Sequence, residues 1–246
     1  YERNIMLPIK IDLPTYDLVL PSSGKEIKVR PFLVKEEKLL LMATESQDED
    51  DIVKTTKQIV QNCILDDVDV DKLPFFDVDY LIVALRAKSL GDKVEVRFVC
   101  QNVLENELSC NKSFYADVDI SKAEIDYKEK VSPTIDLGKG LTVKMRYPTY
   151  SIMKMLDEND NELERKVKII AVCVEQIIQG DKVYSHRDYS RDEMKQFIEN
   201  MTEEQFLKLE KFVDNFPGFL VRLHAKCPGC GFDHNIEYKE FQSFFY

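Results

Sequence analysis

Residues 224–235 read HAKCPGCGFDHN: Cys227 and Cys230 stand two residues apart around a Pro-Gly turn, with His224 and His234 on either side. A pair of thiolates in so tight a turn supplies half of a tetrahedral metal site, so the architecture turns on where the other half lies. The turn joins two segments of strand character, FLVRLHAKC and CGFDHNIEY. A second pair, Cys100 and Cys110, occupies a similar setting between KVEVRFVC and CNKSFYADVDI, but encloses the nine residues QNVLENELS. A hairpin loop of that length can still bring its ends together, because closure entropy grows slowly with length.

The leading reading is a structural zinc site made by Cys100, Cys110, Cys227 and Cys230. A site in which His224 or His234 replaces one of the first pair, reduced thiols without metal, and a disulfide or redox pair stay open beside it. The redox reading is weakened because a Cys-x-x-Cys exchanger normally opens a helix, whereas this one lies between strands. A closed four-thiolate shell leaves no position for water, so a metal there is structural rather than catalytic. His224 and His234 are otherwise read as surface or strand residues flanking the turn, and His186 as a lone loop histidine. Of six cysteines in all, Cys63 and Cys173 fall within helical apolar patterns and read as small buried hydrophobes.

Working outward from the cysteines, the chain resembles itself. YDLVLPSSGKEIKVRPFLV (16–34) matches TIDLGKGLTVKMRYPTY (134–150) in its alternating strands and Gly-Lys turn, with Val29-Arg30-Pro31 set against Arg146-Tyr147-Pro148. The period of two is that of half-buried strands. Helical spacing follows each hairpin, over 34–46, 51–65 and 77–90, then over 151–159, 164–178, 190–201 and 202–216. Ser190 with Glu193, and Thr202 with Gln205, have capping-box spacing. Each half then closes on its cysteine-bearing strand pair, and 120–133 reads as the joint. The expectation is an α+β protein of two similar halves, residues 1–125 and 126–246, joined at the zinc site.

Charge narrows the partners. The chain of 246 residues carries 34 basic and 45 acidic side chains, a net charge of −11, which repels a phosphate backbone and points to protein partners rather than nucleic acid. Its longest apolar runs, YLIVAL (80–85) and IIAVCV (169–174), fall far short of the roughly 18 residues that span a bilayer. No leader opens the sequence as given, so a soluble chain in a reducing cytosol is expected. No His-Glu-x-x-His, phosphate-binding glycine loop or nucleophile elbow is present. The acidic runs DDVDVDK (66–72) and DENDNE (157–162) lack the glycine and bidentate glutamate of a calcium loop and read as solvated loops. The aromatic tail YKEFQSFFY (238–246) either folds back to complete the core or docks a partner.

Four stretches together, KVRPFLVKEEKLLLMA (28–43), the cysteine strand running into YADVDI, IDLGKGLTVKMRYPT (135–149) and the closing CPGCG with EYKEFQSFF, resemble the baseplate hub and hub-assembly proteins of T-even-type contractile-tailed bacteriophages. The resemblance covers roughly residues 16–246. It implies a non-enzymatic role in tail assembly: binding the baseplate hub and tape-measure proteins, with other assembly factors as further partners, in the host cell cytoplasm. Some members of that family are hub components of the virion baseplate and others are assembly factors absent from the finished particle. The family usually has tight Cys-x-x-Cys turns in both halves; here Cys227 and Cys230 keep that form and Cys100 and Cys110 depart from it.

Overall fold

The computed structural model describes residues 12–46, 48–104, 107–150 and 159–245, and these mix helix and sheet. The chain enters through a hairpin, β1 (Tyr16–Val19) and β2 (Glu26–Val29), whose inward residues Leu18, Ile27 and Val29 are buried. Three helices follow: α1 (Val34–Ser46), α2 (Glu49–Cys63) and α3 (Phe75–Leu90). Asp48 caps α2 by accepting from the amides of Asp50 and Asp51, which satisfies donors the first turn leaves free. Helix α3 is apolar on most of its circumference and runs through the middle of the first core, Leu81, Ile82, Val83 and Leu85 all being buried.

Strands β3 (Lys93–Val99) and β4 (Ser113–Asp119) then pair antiparallel, from Lys93 opposite Asp119 to Val99 opposite Ser113. The segment expected as a simple joint contains a strand, β5 (Glu124–Asp126), which pairs with Gly218, Phe219 and Leu220. Beyond it, β6 (Thr134–Gly138) and β7 (Leu141–Met145) form the second hairpin. Most of the helix expected over 151–159 lies outside the described residues. The expectation of one helix over 164–178 is corrected: α4 (Glu162–Cys173) ends at Cys173, and the chain continues as β8 (Val174–Gln179), turns at Gly180 and Asp181, and returns as β9 (Lys182–Ser185). The order β6-β7-β8-β9 makes a four-stranded antiparallel sheet. Buried Val174 and Ile177 serve this sheet, and a continuous apolar run alone does not distinguish such a strand from a buried helix.

Helices α5 (Arg191–Glu199) and α6 (Glu203–Asp214) carry the two capping boxes expected at Ser190 and Thr202, and α4 carries a third at Asn161 and Glu164. The chain ends in β10 (Gly218–Lys226) and β11 (Asp233–Tyr238), an antiparallel pair with Lys226 opposite Asp233.

Two clusters of apolar side chains result. The first gathers the β1–β2 hairpin, α1 to α3 and the β3–β4 pair, together with Phe219, Val221, Leu223, Phe241 and Phe244 from the far end of the chain. The second joins the four-stranded sheet to α4, α5 and α6 through Val143, Ile170, Val174, Ile198, Leu209 and Phe212. Full burial of each such side chain contributes about 1.5–3 kcal/mol. Between the clusters runs a seam of rings, Phe76 against Tyr147 at 5.2 Å and Tyr147 stacked on Phe212 at 5.5 Å. Tyr150 donates to buried Asp79 across the same seam; burial pushes the Asp79 carboxyl up to about 7 despite that bond.

The aromatic tail folds back. Phe244 packs on Phe219 and Tyr238 at 6.1 and 5.4 Å, and the Arg86 side chain donates to its carbonyl at 2.7 Å.

One local arrangement occurs twice. The Arg30 amide donates to the Cys63 carbonyl at 2.9 Å where α2 ends beside the first hairpin, and the Arg146 amide donates to the Cys173 carbonyl at 2.7 Å where α4 ends beside the second. Val29 and Met145 pair with Ile64 and Val174 at the next position. Arg30 therefore matches Arg146 rather than Tyr147, and Tyr147 is an extra residue before the proline. Cys63 and Cys173 are fully buried, and burial raises both thiols to about 12, the behaviour of inert core residues.

Candidate metal centre

The β3–β4 and β10–β11 hairpins carry their cysteines at adjacent tips, because β10 packs against β4. Cys100 follows β3 directly and its amide bonds the Lys112 carbonyl at 2.9 Å; Cys227 follows β10 directly and its amide bonds the Phe232 carbonyl at 2.9 Å. Convergence therefore follows from the packing of one strand pair against the other.

The four sulfurs lie within 4.8 Å of one another, with Cys100 Sγ 3.7 Å from Cys230 Sγ and Cys110 Sγ 3.8 Å from Cys227 Sγ. Four sulfurs at the vertices of a tetrahedron, each about 2.3 Å from a central zinc, are about 3.8 Å apart. A disulfide needs about 2.0 Å, and all six cysteines are free. The donor set and its spacing fit one tetrahedral, thiolate-preferring ion.

The unequal spacing of the two turns disappears in space. The Gly231 amide donates to the Cys227 carbonyl at 2.9 Å, and the Asn111 amide donates to the Cys100 carbonyl at 3.0 Å. Gly231 has φ 74° and Asn111 φ 51°, the left-handed region that glycine enters freely and asparagine tolerates. Each turn thus ends with a left-handed residue directly after its second cysteine. Between Cys100 and Cys110 the described residues make contacts of their own, Val103 bridging to Ser109 and the Cys110 amide bonding the Asn102 carbonyl at 2.9 Å.

Polar groups surround the sulfurs. The Gly229 amide lies 3.3 Å from Cys227 Sγ, Asn102 Nδ2 3.7 Å from Cys230 Sγ, and His234 Nε2 3.2 Å from Cys100 Sγ. The last two contacts cross between the turns, each turn bracing a cysteine of the other. Such outer contacts orient ligands and raise metal affinity. Of the two readings of His234, surface or strand, the strand one holds: it lies in β11 and is buried, with Phe98 and Phe232 rings each 4.8 Å away. His224 is exposed on β10 and bonds Asn235. Neither histidine is among the four clustered ligands.

Burial drives the Cys100 thiol up to about 12 and, with neighbouring thiols, also raises Cys110 although the Lys112 amide works the other way. Burial opposes ionisation at Cys227 too, but the amides of Cys230 and Gly229 bring it down to about 7. Four such crowded sulfurs cannot all carry charge without a cation among them.

The acidic run at 66–72 is used locally: Asp69 caps a single 3-10 turn, Val70–Lys72, and pairs with Lys72. His186 stands in a second short turn, His186–Asp188, on the rim of a cavity of about 540 Å³ lined by Arg146, Lys168, Tyr189, Arg191 and Lys195 among others. Sequence reasoning missed this cavity because its lining comes from Arg146 just after β7, from α4, from the turn after β9 and from α5, with no local motif. Among the described residues no helix is long and apolar enough to cross a membrane.

A family model described as T4 bacteriophage base plate protein matches residues 13–246. No curated protein and no solved structure matches.

Proposed function

Because this chain belongs to the T4 bacteriophage base plate protein family, we propose that it is a non-enzymatic assembly factor that binds the baseplate hub and tape-measure proteins in the host cytoplasm and promotes hub assembly. The observation that carries this reading is the surface of α1. Val34, Leu39, Leu41 and Met42 are exposed there, Val34 at 82%, and a helix face of this kind suits the apolar surface of another protein. Helix α6, the other candidate contact, exposes Leu207 alone among its large apolar residues, so α1 is the stronger choice. Co-expression with hub and tape-measure proteins followed by affinity capture is the test. Capture that Leu41→Ser with Met42→Ser abolishes supports the reading, and no complex with either protein refutes it.

Within this reading Cys100, Cys110, Cys227 and Cys230 hold one structural zinc, which supplies no reactive group and ties the tips of two strand pairs together. The recurrence of the hairpin-to-helix joint and of the cysteine turn supports two related halves, residues 1–125 and 126–246.

A permanent structural subunit of the baseplate is the second reading, favoured by the cross-braced cysteine centre, which makes a rigid scaffold. Mass spectrometry of purified particles separates the two: stoichiometric presence supports the subunit and absence the transient factor.

A further inference from the structure

The two hairpin-to-helix joints differ in what their arginines meet. Arg30 is neutralised within the chain: its Nη1 and Nη2 donate to the two carboxylate oxygens of Glu36 at 2.9 and 2.6 Å. Glu36 is 1% exposed, and although burial opposes its ionisation, Arg30 and the Leu33 amide hold its carboxyl below the ordinary range. Arg146 holds the same backbone position, yet its side chain only donates Nε to the Val172 carbonyl at 3.2 Å, and no carboxylate pairs with it among the described residues. In sequence the positions corresponding to Glu36 are Ile152 or Met153, neither of which can supply one.

Arg146 instead lines the cavity of about 540 Å³, together with Lys168, Arg191 and Lys195, against one acidic residue, Asp192. Lys168 and Lys195 have partners in Asp160 and Glu199; Arg191, like Arg146, has none among the described residues. A cationic chamber is unexpected in a chain of net charge −11. A second cavity of about 480 Å³ shares Tyr189 and Met194 with the first and is lined by Leu141, Ile177, Tyr184 and Phe197, with amide side chains between them and one carboxylate, Glu193, which accepts from the Ser190 amide at the start of α5. Both volumes fall in the range of ligand sites, and apolar walls with a few placed polar groups are what such sites present.

We propose that this two-chambered groove binds an extended segment of a partner protein, which places a carboxylate on Arg146 and Arg191 and an aromatic or aliphatic side chain in the second chamber. The incoming carboxylate stands where Glu36 stands at the first joint. Planar guanidinium groups suit this task, since each donates two parallel hydrogen bonds to a carboxylate. A nucleic-acid backbone suits the groove less well, because a chain of net charge −11 repels a continuous run of phosphates. The proposal rests on the reading of the chain as a protein-binding factor, but on neither α1 nor zinc.

The test uses the full chain and three fluorescent probes: the acetylated peptide EEYEE, its counterpart QQYQQ, and single-stranded octathymidylate, followed by anisotropy at low and moderate salt. The expected result is saturable binding of EEYEE, at least tenfold weaker binding of QQYQQ, and at least tenfold weaker binding of EEYEE to Arg146→Ala and to Arg191→Ala. Arg191→Ala removes a side chain that makes no polar contact within the described fold, so its loss of binding cannot be ascribed to unfolding. Absence of EEYEE binding, equal binding of QQYQQ, unchanged binding by both variants, or tighter binding of octathymidylate would each overturn the proposal. Leu41→Ser with Met42→Ser should leave EEYEE binding unchanged, so failure of the hub complex and failure of the groove are read separately.

Discussion

The two cysteine turns differ by seven residues of spacing in sequence and little in space. Cys227 and Cys230 enclose two residues, Cys100 and Cys110 enclose nine, yet both pairs sit at the mouth of an antiparallel hairpin and both are closed by an amide-to-carbonyl bond of 2.9 or 3.0 Å from a left-handed residue. The difference teaches that ligand spacing matters only through the backbone that sets it. An insertion that bonds to itself, as Val103 does to Ser109, leaves the ends of the turn where a shorter loop would put them.

If one ion is shared, the two turns must fail together. Cys100→Ser and Cys227→Ser, one from each turn, should each abolish stoichiometric zinc and lower stability by a similar amount, on the order of 4–5 kcal/mol or more, as expected when a structural metal is lost. Denaturant unfolding with metal analysis checks this, and a large loss from one variant beside a negligible loss from the other would break the equivalence. Both should also share a pH dependence. Zinc requires the thiolates, and burial holds the Cys100 thiol up at about 12 while the amides of Cys230 and Gly229 bring Cys227 only down to about 7, so binding releases protons. Affinity therefore rises with pH and falls on acidification; zinc retained undiminished at about pH 5 would contradict the assignment.

The crossed contacts sharpen the comparison at the next level. His234→Phe keeps a ring among Phe98 and Phe232 but removes the nitrogen 3.2 Å from Cys100 Sγ, and should weaken zinc about 10- to 100-fold, as outer-shell changes typically do. A competition titration with a chromophoric chelator measures it, and unchanged affinity would reduce His234 to a packing residue.

Smaller effects are expected at the closing residues. Gly231→Ala and Asn111→Ala should each cost about 1 kcal/mol, because both ask a side chain without asparagine's tolerance to adopt positive φ, whereas Asn111→Gly should be close to neutral. The smallest effect is expected for deleting 103–109, which leaves Gln101 and Asn102 between the two cysteines. Zinc should be retained and stability should change by no more than about 1 kcal/mol, the scale of the loop-closure term. Loss of zinc in that shortened chain would mean that the excursion positions Cys110 rather than decorating it.

Much of this site was legible from residue types. Cysteines at strand ends, a Pro-Gly turn and a following glycine named all four clustered residues. Caps at Ser190 and Thr202 marked two helix starts, whereas the aromatic tail was open between folding back and docking a partner until Phe241 and Phe244 were seen buried in the first core. What escaped the sequence depended on partners distant along the chain. His234 reads as a turn-flanking polar residue until three phenylalanines from two hairpins are seen around it. The β8–β9 hairpin was hidden because KIIAVCVEQII keeps apolar residues at both helical and strand positions, so only Gly180-Asp181 signals the reversal. The attachment of β10, β11 and the tail to the first core also lay out of reach, since β5 and β10 meet across some ninety residues of chain. In sequence Arg30 aligned with Tyr147; only the backbone bonds to Cys63 and Cys173 show that Arg30 matches Arg146, and the presence of Glu36 at one joint distinguishes the two arginines in chemistry.

Zinc K-edge X-ray absorption on protein purified without chelators, with the metal quantified per chain, tests the central assignment most directly. One zinc per chain surrounded by four sulfurs at about 2.3 Å is the predicted result. Substoichiometric metal, or a shell containing nitrogen or oxygen in place of any of the four sulfurs, would contradict it.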